Sequence, residues 1–201
     1  MNAYRFITGG SLVLLLLAAA LWGWQQGRTR GLYEPRADFL IERGTGQQTV
    51  TAFIDYRCGN CGAFYKALAD LKDIRPDVTL IVRPLTFIDT QSVRLARLAL
   101  AAGTEGRFAE IHAAFLERGG AVDDAFLRET FSFYGLDLAA IEEKAQSGTV
   151  EALLMDNADD AVALGVRLIP SLIVGGVYYV PPAPIEDFSV SAILPLLAPA
   201  P

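Results

Sequence analysis

The stretch TVTAFIDYRCGNCGAFYKALADLKDI, residues 49–74, changes its hydrophobic pattern in the middle. Its first part, residues 49–57, is rich in β-branched and aromatic side chains, which is typical of a buried strand. Its last part, residues 63–74, has apolar side chains at helical spacing. Between the two parts lie Cys58 and Cys61, the only cysteines of the 201-residue chain. The stretch therefore predicts a strand and a helix with a cysteine pair at their junction.

The pattern around this stretch predicts an α/β fold. A second strand is predicted over residues 77–84, after a break at Pro76, and the connection between the two strands is long enough for parallel pairing. Residues 90–165 are helical in pattern and form five segments that each end in a glycine, as helix C-termini prefer. Strands resume around Gly175–Gly176, a dipeptide suited to a tight hairpin, and a final helix is predicted near residues 185–197.

The N-terminal segment from Phe6 to Trp24 runs nineteen residues without a charge. As a helix rising about 1.5 Å per residue, it would cross the ~30 Å hydrocarbon core of a membrane. Ala18 and Ala20 offer a cleavage signal, whereas tryptophans near the end are typical of interfacial anchors. We therefore assign residues 1–27 to a signal or membrane anchor and favour the anchor. A buried helix of a soluble domain is the third interpretation.

The rest of the composition limits the partners of the chain. Residues 28–47 mix Arg, Gly, Pro and Gln and predict a tether, with a short candidate strand at residues 38–42. From Gly31 onward, 14 Lys and Arg stand against 23 Asp and Glu, a net charge of −9. Because nucleic-acid phosphates require the opposite sign, no nucleic-acid partner is expected. With 52% hydrophobic residues, the chain can bury a core.

The position of the cysteine pair predicts redox chemistry. Cys58 comes where the strand gives way to the helix, so free backbone N–H groups and the positive end of the helix dipole favour its thiolate. Arg57 adds positive potential unless its side chain points to solvent. Cys61, one turn on and therefore on the same helical face, can attack a mixed disulfide formed at Cys58 and release the substrate. The redox-active Cys58–Cys61 disulfide is then the only redox group required, and no separate cofactor is predicted.

Two other interpretations of the pair are a structural staple and half of a metal site. Closing so short a loop removes little entropy from the unfolded chain and joins nothing distant. A zinc site needs four ligands, yet the chain has no other cysteine and only one histidine, His112, so no metal site is predicted. Cu(I) held between Cys58 and Cys61 stays as an alternative.

Three motifs give the chain a resemblance to a known family. They are FIDYRCGNCGAFY around the cysteines, RFAEIHAAFLERG in the helical segment and LGVRLIPSLIVGG near the end. From about Gln48 to Leu197, the chain resembles the DsbA-like thiol-disulfide oxidoreductases of the thioredoxin superfamily. The resemblance implies a thioredoxin fold with an inserted helical domain. Its core would comprise residues 48–88 and 166–198, and the insertion residues 89–165.

The resemblance also implies roles for four residues. Cys58 would be the attacking thiol and Cys61 the resolving thiol, and Ile169–Pro170 would form a cis-proline loop that faces them. The main chain of Ile169 would then be free to pair with an extended segment of substrate. Without the resemblance, the sequence favours an ordinary trans proline at the start of a strand.

Two features depart from the pattern of the family. The dipeptide inside the motif is Gly59-Asn60 and not the Pro-His of strongly oxidising members, so extreme oxidising power is not expected. Family members often carry a buried acid six positions before the attacking cysteine, where this chain has Ala52. Asp55, three positions before Cys58, is a candidate proton relay or, equally, a solvated carboxylate that caps the active-site turn.

Aromatic residues and the single histidine have less specific interpretations. His112 lies on an apolar helical face, so we expect it to be packed and hydrogen-bonded and not catalytic. Four aromatic residues are candidates for a substrate groove, although aromatic residues in strands more often belong to the core: Tyr56, Phe64, Tyr178 and Tyr179.

These observations predict an exported thiol-disulfide oxidoreductase, anchored to the inner membrane through residues 6–24 and active in the periplasm or a comparable extracytoplasmic compartment. Its expected partners are cysteine-containing exported proteins and a membrane or periplasmic redox partner. The sequence leaves the oxidase, isomerase and reductase directions open. Two other functions are a Cu(I)-handling or assembly protein that uses the same cysteine pair, and a redox-silent binding module.

Overall fold

Two units divide the chain between Glu34 and Pro35. The computed structural model describes residues 12–23 of the first unit, and residues 35–182 and 188–199 of the second. Residues 12–23 form helix α1, whose side chains are exposed. The remaining parts of the predicted Phe6–Trp24 span, of the 1–27 anchor and of the tether before Pro35 lie outside the described residues. In the described part of the chain, no helix is long and apolar enough to cross a membrane.

A five-stranded sheet forms the centre of the second unit. Its strands are β1 (Ile41–Glu42), β2 (Thr49–Ile54), β3 (Thr79–Pro84), β4 (Ser171–Val174) and β5 (Val177–Tyr179). The strand order is β1-β3-β2-β4-β5, with β2 parallel to β3 and every other pair antiparallel. Helix α2 (Cys61–Ile74) connects the two parallel strands. This arrangement confirms the predicted strand–helix–strand unit and the α/β class.

Helix α2 packs through the apolar face that its sequence predicts. Phe64, Leu68 and Leu71 recur at helical spacing, and each is at most 1% exposed. Their side chains belong to one core with the inward-facing residues of the sheet. Burial of each such side chain contributes about 1.5–3 kcal/mol, so this face fixes the helix on the sheet.

Five helices lie between β3 and β4. They are α3 (Thr90–Thr104), α4 (Phe108–Glu117), α5 (Asp124–Phe133), α6 (Leu138–Lys144) and α7 (Gly148–Ala163). Side chains cap four of these helices at the N-terminus by accepting a backbone N–H: Asp89 for α3, Asp123 for α5, Asp137 for α6 and Ser147 for α7. The helical pattern predicted for residues 90–165 is therefore confirmed.

Two of the five predicted glycine endings are wrong. Gly103 lies inside α3, where a Cβ would come within 2.5 Å of the Phe39 ring, so this glycine serves close packing. Gly148 begins α7 directly after its cap and ends no helix. Gly135 and Gly165 follow helices with positive φ angles of 73° and 72°, as helix-ending glycines do.

The segments at the two ends of the second unit differ from the predictions. Residues 38–42 form a 3₁₀ turn, Asp38–Leu40, followed by the two residues of β1, and Leu40 at the end of the turn is buried. In place of the final helix predicted near residues 185–197, the described residues form a short helix α8, Val190–Ile193, and a 3₁₀ turn, Leu194–Leu196. Pro195 has no backbone N–H to continue the α-helical hydrogen bonds, which explains why the α-helix gives way to a 3₁₀ turn. Residues 183–187 lie outside the described residues.

The hairpin predicted at Gly175–Gly176 is present. Strands β4 and β5 pair antiparallel on either side of these glycines, which have φ angles of 55° and 83°. Such angles are easy only for glycine, which explains why the dipeptide marks the turn.

A buried ion pair joins the sheet to the helical segment. Arg83 of β3 places its Nη1 atom 2.5 Å from Oδ2 of Asp160 on α7, and the two side chains are 1% and 6% exposed. On the same helix, Asn157 donates from Nδ2 to the carbonyl oxygen of Pro84 at 3.1 Å. These contacts fix α7 against the end of β3.

Candidate active site

The cysteine pair lies just past the carboxyl end of β2. The backbone N–H of Cys58 donates to the carbonyl oxygen of Asp55 at 3.0 Å, and that of Cys61 donates to the carbonyl oxygen of Cys58 at 3.1 Å. Because α2 begins at Cys61, Cys58 precedes the helix, which corrects the expectation that both cysteines share one helical face. Both are free thiols, but Cys58 is partly exposed whereas Cys61 is fully buried.

Hydrogen bonds stabilise the thiolate of Cys58. The side chain of Asn60, the cap residue of α2, makes no cap hydrogen bond, so it does not compete with the sulfur for the N–H groups at the start of the helix. The Cys61 thiol, then the backbone N–H groups of Asn60 and Cys61, lower the pKa of Cys58 to about 7. Burial and the charge of Asp55 act in the opposite direction. A thiol with such a pKa is substantially ionised at neutral pH and is therefore a good nucleophile.

The second thiol is held in the opposite state. The hydrogen bond that it donates to Cys58 raises the pKa of Cys61, and burial and the charge on Cys58 raise it further. Cys61 is therefore protonated while Cys58 is an anion. One accessible thiolate beside one buried thiol is the arrangement that attack followed by internal resolution requires.

Asp55 is buried beside the pair. Its side chain is 0% exposed, so the expectation of a solvated carboxylate is wrong, whereas its contacts are those of a cap. Oδ1 accepts from the backbone N–H of Arg57 at 2.8 Å. Oδ2 accepts from the N–H groups of Phe87 at 2.8 Å and Ile88 at 3.2 Å. Its function as a proton relay stays a prediction.

Arg57 connects the active-site turn to the helical segment. Its Nε atom donates to Oδ2 of Asp89, the cap of α3, at 3.1 Å, and its Nη1 atom donates to the carbonyl oxygen of Gly120. The guanidinium therefore pairs with a carboxylate and does not simply point to solvent. The sequence did not predict this connection, because Asp89 and Gly120 lie far from Arg57 in the chain.

The peptide bond between Ile169 and Pro170 is cis, which is the geometry that the resemblance implied. Strand β4 begins at the next residue, and Ser171 pairs with Phe53 of the antiparallel strand β2. This register brings Pro170 to the level of Ile54, at the same edge of the sheet as the cysteine turn. A role for Ile169 and Pro170 in binding substrate stays a prediction.

The segment before this proline is held by a tyrosine. The hydroxyl oxygen of Tyr178 accepts the backbone N–H groups of Arg167 and Leu168 at 3.2 and 3.1 Å. The side chain of Leu168 remains 58% exposed. Tyr178 therefore shapes the loop ahead of the cis bond, a function that strand aromaticity alone did not suggest.

Exposed apolar side chains border the site. Phe87 and Ile88 are 49% and 50% exposed and lie in the loop between β3 and α3 that Asp55 holds. A groove of about 600 Å³ begins at Gly59 and is bordered by Tyr65 and Leu116 and by the charged side chains of Lys66 and Glu117. Exposed apolar side chains therefore lie close to the cysteine turn, which suits contact with a polypeptide.

His112 is buried and packs against Tyr56 of the active-site turn. Its Nδ1 atom lies 2.9 Å from the hydroxyl of Tyr56, and it stacks on Phe108 with ring centroids 5.3 Å apart. Burial lowers the pKa of His112 to about 3, so the ring is neutral at physiological pH. The predicted packed histidine is therefore present, and Tyr56, which is 1% exposed, belongs to the core and not to a groove. Phe64 is likewise buried.

The described residues contain no group of three or more His, Cys, Asp and Glu side chains arranged to hold a metal ion. Only the two sulfur atoms at the motif could bind a soft cation together. Cu(I) is the ion whose chemistry accepts so few thiolate ligands.

Comparison with protein families gives one match that covers most of the chain. The model for the DSBA-like thioredoxin domain matches residues 49–193. None of the curated proteins compared with the chain matches it.

Solved structures share the fold. A thioredoxin-like oxidoreductase from Silicibacter pomeroyi DSS-3 is 25% identical, with a TM-score of 0.71, over 82% of this chain and 92% of that one. The thiol-disulfide exchange protein alpha-DsbA2 from Wolbachia pipientis is 19% identical, with a TM-score of 0.66, over 77% and 83%. A periplasmic thioredoxin-like protein from Salmonella enterica serovar Typhimurium is 22% identical, with a TM-score of 0.62, over 78% and 86%.

Proposed function

Because this chain belongs to the family of DSBA-like thioredoxin domains, whose members are thiol-disulfide oxidoreductases, we propose that it exchanges disulfides with other proteins through Cys58 and Cys61. The family match confirms the resemblance predicted from the sequence. One observation carries the assignment of the site: an accessible Cys58 with a pKa of about 7 is hydrogen-bonded to a buried, protonated Cys61.

The reaction moves two electrons in either direction. In the reduced protein, the Cys58 thiolate attacks a substrate disulfide, forms a mixed disulfide and expels a substrate thiolate. Cys61 then loses its proton and attacks the Cys58 sulfur, so the Cys58–Cys61 disulfide forms and the second substrate sulfur leaves as a thiolate. In the oxidised protein, a substrate thiolate attacks Cys58 and the same steps run backwards. The partner that restores the starting state sets the net direction.

The apolar border of the site supports a polypeptide substrate. Phe87, Ile88 and Leu168 present exposed side chains on loops at the sheet edge that carries Cys58. We propose that the main chain of Ile169, beside the cis Pro170, pairs with an extended substrate segment. Cysteine-containing exported proteins are the substrates that this surface and an oxidising compartment would serve.

We further propose that the protein is exported and anchored to the inner membrane. The uncharged segment from Phe6 to Trp24 supports this proposal, as does the likeness to a thioredoxin-like protein that is periplasmic. A membrane or periplasmic redox partner would then return the Cys58–Cys61 pair to its starting oxidation state. The alternative function, Cu(I) handling, is favoured by one observation only: two hydrogen-bonded thiols lie at an accessible turn.

Trapping of substrates tests the proposal. In Cys61→Ala, the internal attack that releases substrate is lost, so we expect mixed disulfides to accumulate on Cys58. Cys58→Ala is the matched control and should trap few or none. The trapped species are detected on non-reducing gels of the membrane and soluble fractions, and are identified by mass spectrometry.

Three outcomes would contradict the assignment. Equal trapping by both variants would mean that the attacking and resolving roles are wrong. No trapping and no reduction of insulin, together with tight Cu(I) binding in a titration, would favour copper handling. The absence of trapping, insulin reduction and Cu(I) binding would leave a redox-silent binding module. The reduction potential of the wild-type pair, measured against glutathione, then decides between the oxidising and reducing directions.

A further inference from the structure

We propose that Asp55 is a positioning residue for Cys58: its buried carboxylate holds the active-site turn and the Phe87–Ile88 segment in one arrangement, and its negative charge limits the stabilisation of the Cys58 thiolate. This inference rests on the proposed function, since it concerns the same thiol, but its alkylation, glutathione and hydrogen-exchange measurements require no protein substrate.

The contacts of Asp55 reach both sides of the site. The side chain accepts the N–H of Arg57 within the turn, and its own carbonyl oxygen accepts the N–H of Cys58. Across the sheet edge, the other carboxylate oxygen accepts the N–H groups of Phe87 and Ile88. Three backbone donors on one buried carboxylate are charge-assisted hydrogen bonds, which are about twice as strong as neutral ones. A single side chain thus joins the cysteine turn to a loop more than 30 residues away.

The loop that Asp55 holds carries apolar side chains at the border of the site. Phe87 and Ile88 are about half exposed although their backbone N–H groups are occupied. The next residue, Asp89, caps α3 and also accepts from the Arg57 side chain. Two carboxylates therefore fix this loop to the cysteine turn, one buried and one at the surface.

The charge of Asp55 acts on the sulfur atoms. The side chain of the neighbouring Arg57 is directed to Asp89 and Gly120 and not to the Asp55 carboxylate. The carboxylate raises the pKa of both Cys58 and Cys61, which opposes the N–H donors at the start of α2. Asp55 therefore works against thiolate formation while it holds the backbone that promotes it.

Other groups at the site set the background for any pH measurement. The pKa of Tyr56 is raised, mainly by burial, and that of His112 is lowered, so both are neutral between pH 5 and 9. Among the described residues, the titratable and charged groups around the turn are Cys58 and Cys61 of the motif, Tyr56, Arg57 and Asp89, Tyr65 of α2, His112 of α4, and Lys66 and Glu117 in the groove that begins at Gly59. With a pKa of about 7, Cys58 is the group whose titration the measurement follows.

The test replaces Asp55 by two neutral residues of different shape, Asp55→Asn and Asp55→Ser. Loss of the negative charge should lower the pH at which Cys58 is half alkylated, by up to one pH unit, or about tenfold in the thiolate-to-thiol ratio. A more stable thiolate favours the reduced form, so the equilibrium constant with glutathione should shift in the oxidising direction by a similar factor. Asp55→Glu keeps the charge and should restore the wild-type alkylation profile. Asp123→Asn removes a capping carboxylate from α5 and should change neither quantity.

Hydrogen exchange tests the positioning part in the unmodified protein. The backbone N–H groups of Phe87 and Ile88 should exchange slowly, although their side chains are half exposed, and both should exchange faster in the neutral variants. Fast exchange in the wild type would overturn the proposal even if no neutral variant folds.

The remaining outcomes separate this inference from other possibilities. If both neutral variants keep the wild-type alkylation profile and glutathione equilibrium but release mixed disulfides slowly, Asp55 is a proton relay and the inference is wrong. If wild-type Cys58 is alkylated only at high pH and forms no mixed disulfide, the proposed function itself fails, whatever the variants do.

Discussion

Burial acts on Cys58 and His112 in the same direction but with different results. Both side chains lose hydration, which disfavours the charged form. For Cys58, the N–H and S–H donors stabilise the thiolate by more than burial destabilises it, so the pKa falls and the charged form is favoured. For His112, burial is the cause of the shift, so the pKa falls and the neutral form is favoured. The same physical effect therefore leaves one residue reactive and the other inert.

The neutral state of His112 predicts a stability change in acid. The pKa of His112 is about 3 in the folded protein and about 6.5 in the unfolded chain. The contribution of the neutral ring to the unfolding free energy is therefore complete above pH 6.5 and is lost as the pH falls toward 3. At pH 4 the loss amounts to about 3 kcal/mol of unfolding free energy. In His112→Gln, the side chain can still accept a hydrogen bond from the Tyr56 hydroxyl. The decrease in its unfolding free energy between pH 7 and pH 4 should be smaller than that of the wild type by about this amount. Urea unfolding at the two pH values measures it, and an identical decrease in both proteins would contradict the buried neutral ring.

Single residues were predictable from the sequence only where a local pattern describes them. The lowered pKa of Cys58 follows from its place at the junction of strand and helix, and the packing of His112 follows from its apolar face. The burial of Asp55 did not follow, because its hydrogen-bond donors, Phe87 and Ile88, are brought to it by the pairing of β2 with β3. Contacts between distant parts of the chain leave no mark in a local pattern.

Helices α2 and α4 approach each other through a glycine. A Cβ on Gly62 would lie 2.7 Å from the carbonyl oxygen of Leu116, closer than such atoms can come. Because Gly62 immediately follows Cys61, this approach also sets the position of the start of α2. The helical segment thus supports the active-site turn from outside the sheet.

Replacing this glycine should separate the two helices. We expect Gly62→Ala to lower the unfolding free energy by about 1–3 kcal/mol, the usual cost of overpacking, although alanine favours a helix. Gly148→Ala at the start of α7 is the matched control, since a Cβ there meets nothing within 4 Å, and it should be neutral or slightly stabilising. Denaturant unfolding of both variants gives the comparison. If Gly62→Ala leaves the unfolding free energy unchanged, the distance between α2 and α4 is larger than the structure gives.

Elements with a clear period were predictable, and short ones were not. The helices between β3 and β4 follow from apolar spacing, whereas α8 and the two residues of β1 are too short for a period to exist. Gly103 was misread because a glycine that makes room for a ring and a glycine that ends a helix look identical in a sequence.

The chain as a whole combines an N-terminal unit with a redox domain. The family match accounts for residues 49–193 and says nothing of the segment before them. Composition predicts that its stretch from Phe6 to Trp24 inserts into a membrane, and helix α1 is the part of that stretch that the structure describes. The location of the protein therefore needs its own measurement.

A reporter fused after Pro201 should be active only outside the cytoplasm, and the fusion should sediment with membranes, if Phe6 to Trp24 acts as an anchor. Removing residues 1–27 provides the control, which should leave the reporter silent and the protein in the soluble fraction. Export followed by release of a form that starts near Leu21 would instead identify a cleaved signal. A reporter that is active only in the cytoplasm would contradict export.

The buried contact between Arg83 and Asp160 has a consequence for the way the second unit comes apart. Detaching α7 from β3 would leave a charged group in a low-dielectric interior or require water to flood it, and either change costs several kcal/mol. A state with this helix loosened and the sheet still intact is therefore poorly populated. Although the sheet is built from two stretches with five helices between them, we therefore expect the sheet and α7 to unfold in one cooperative transition.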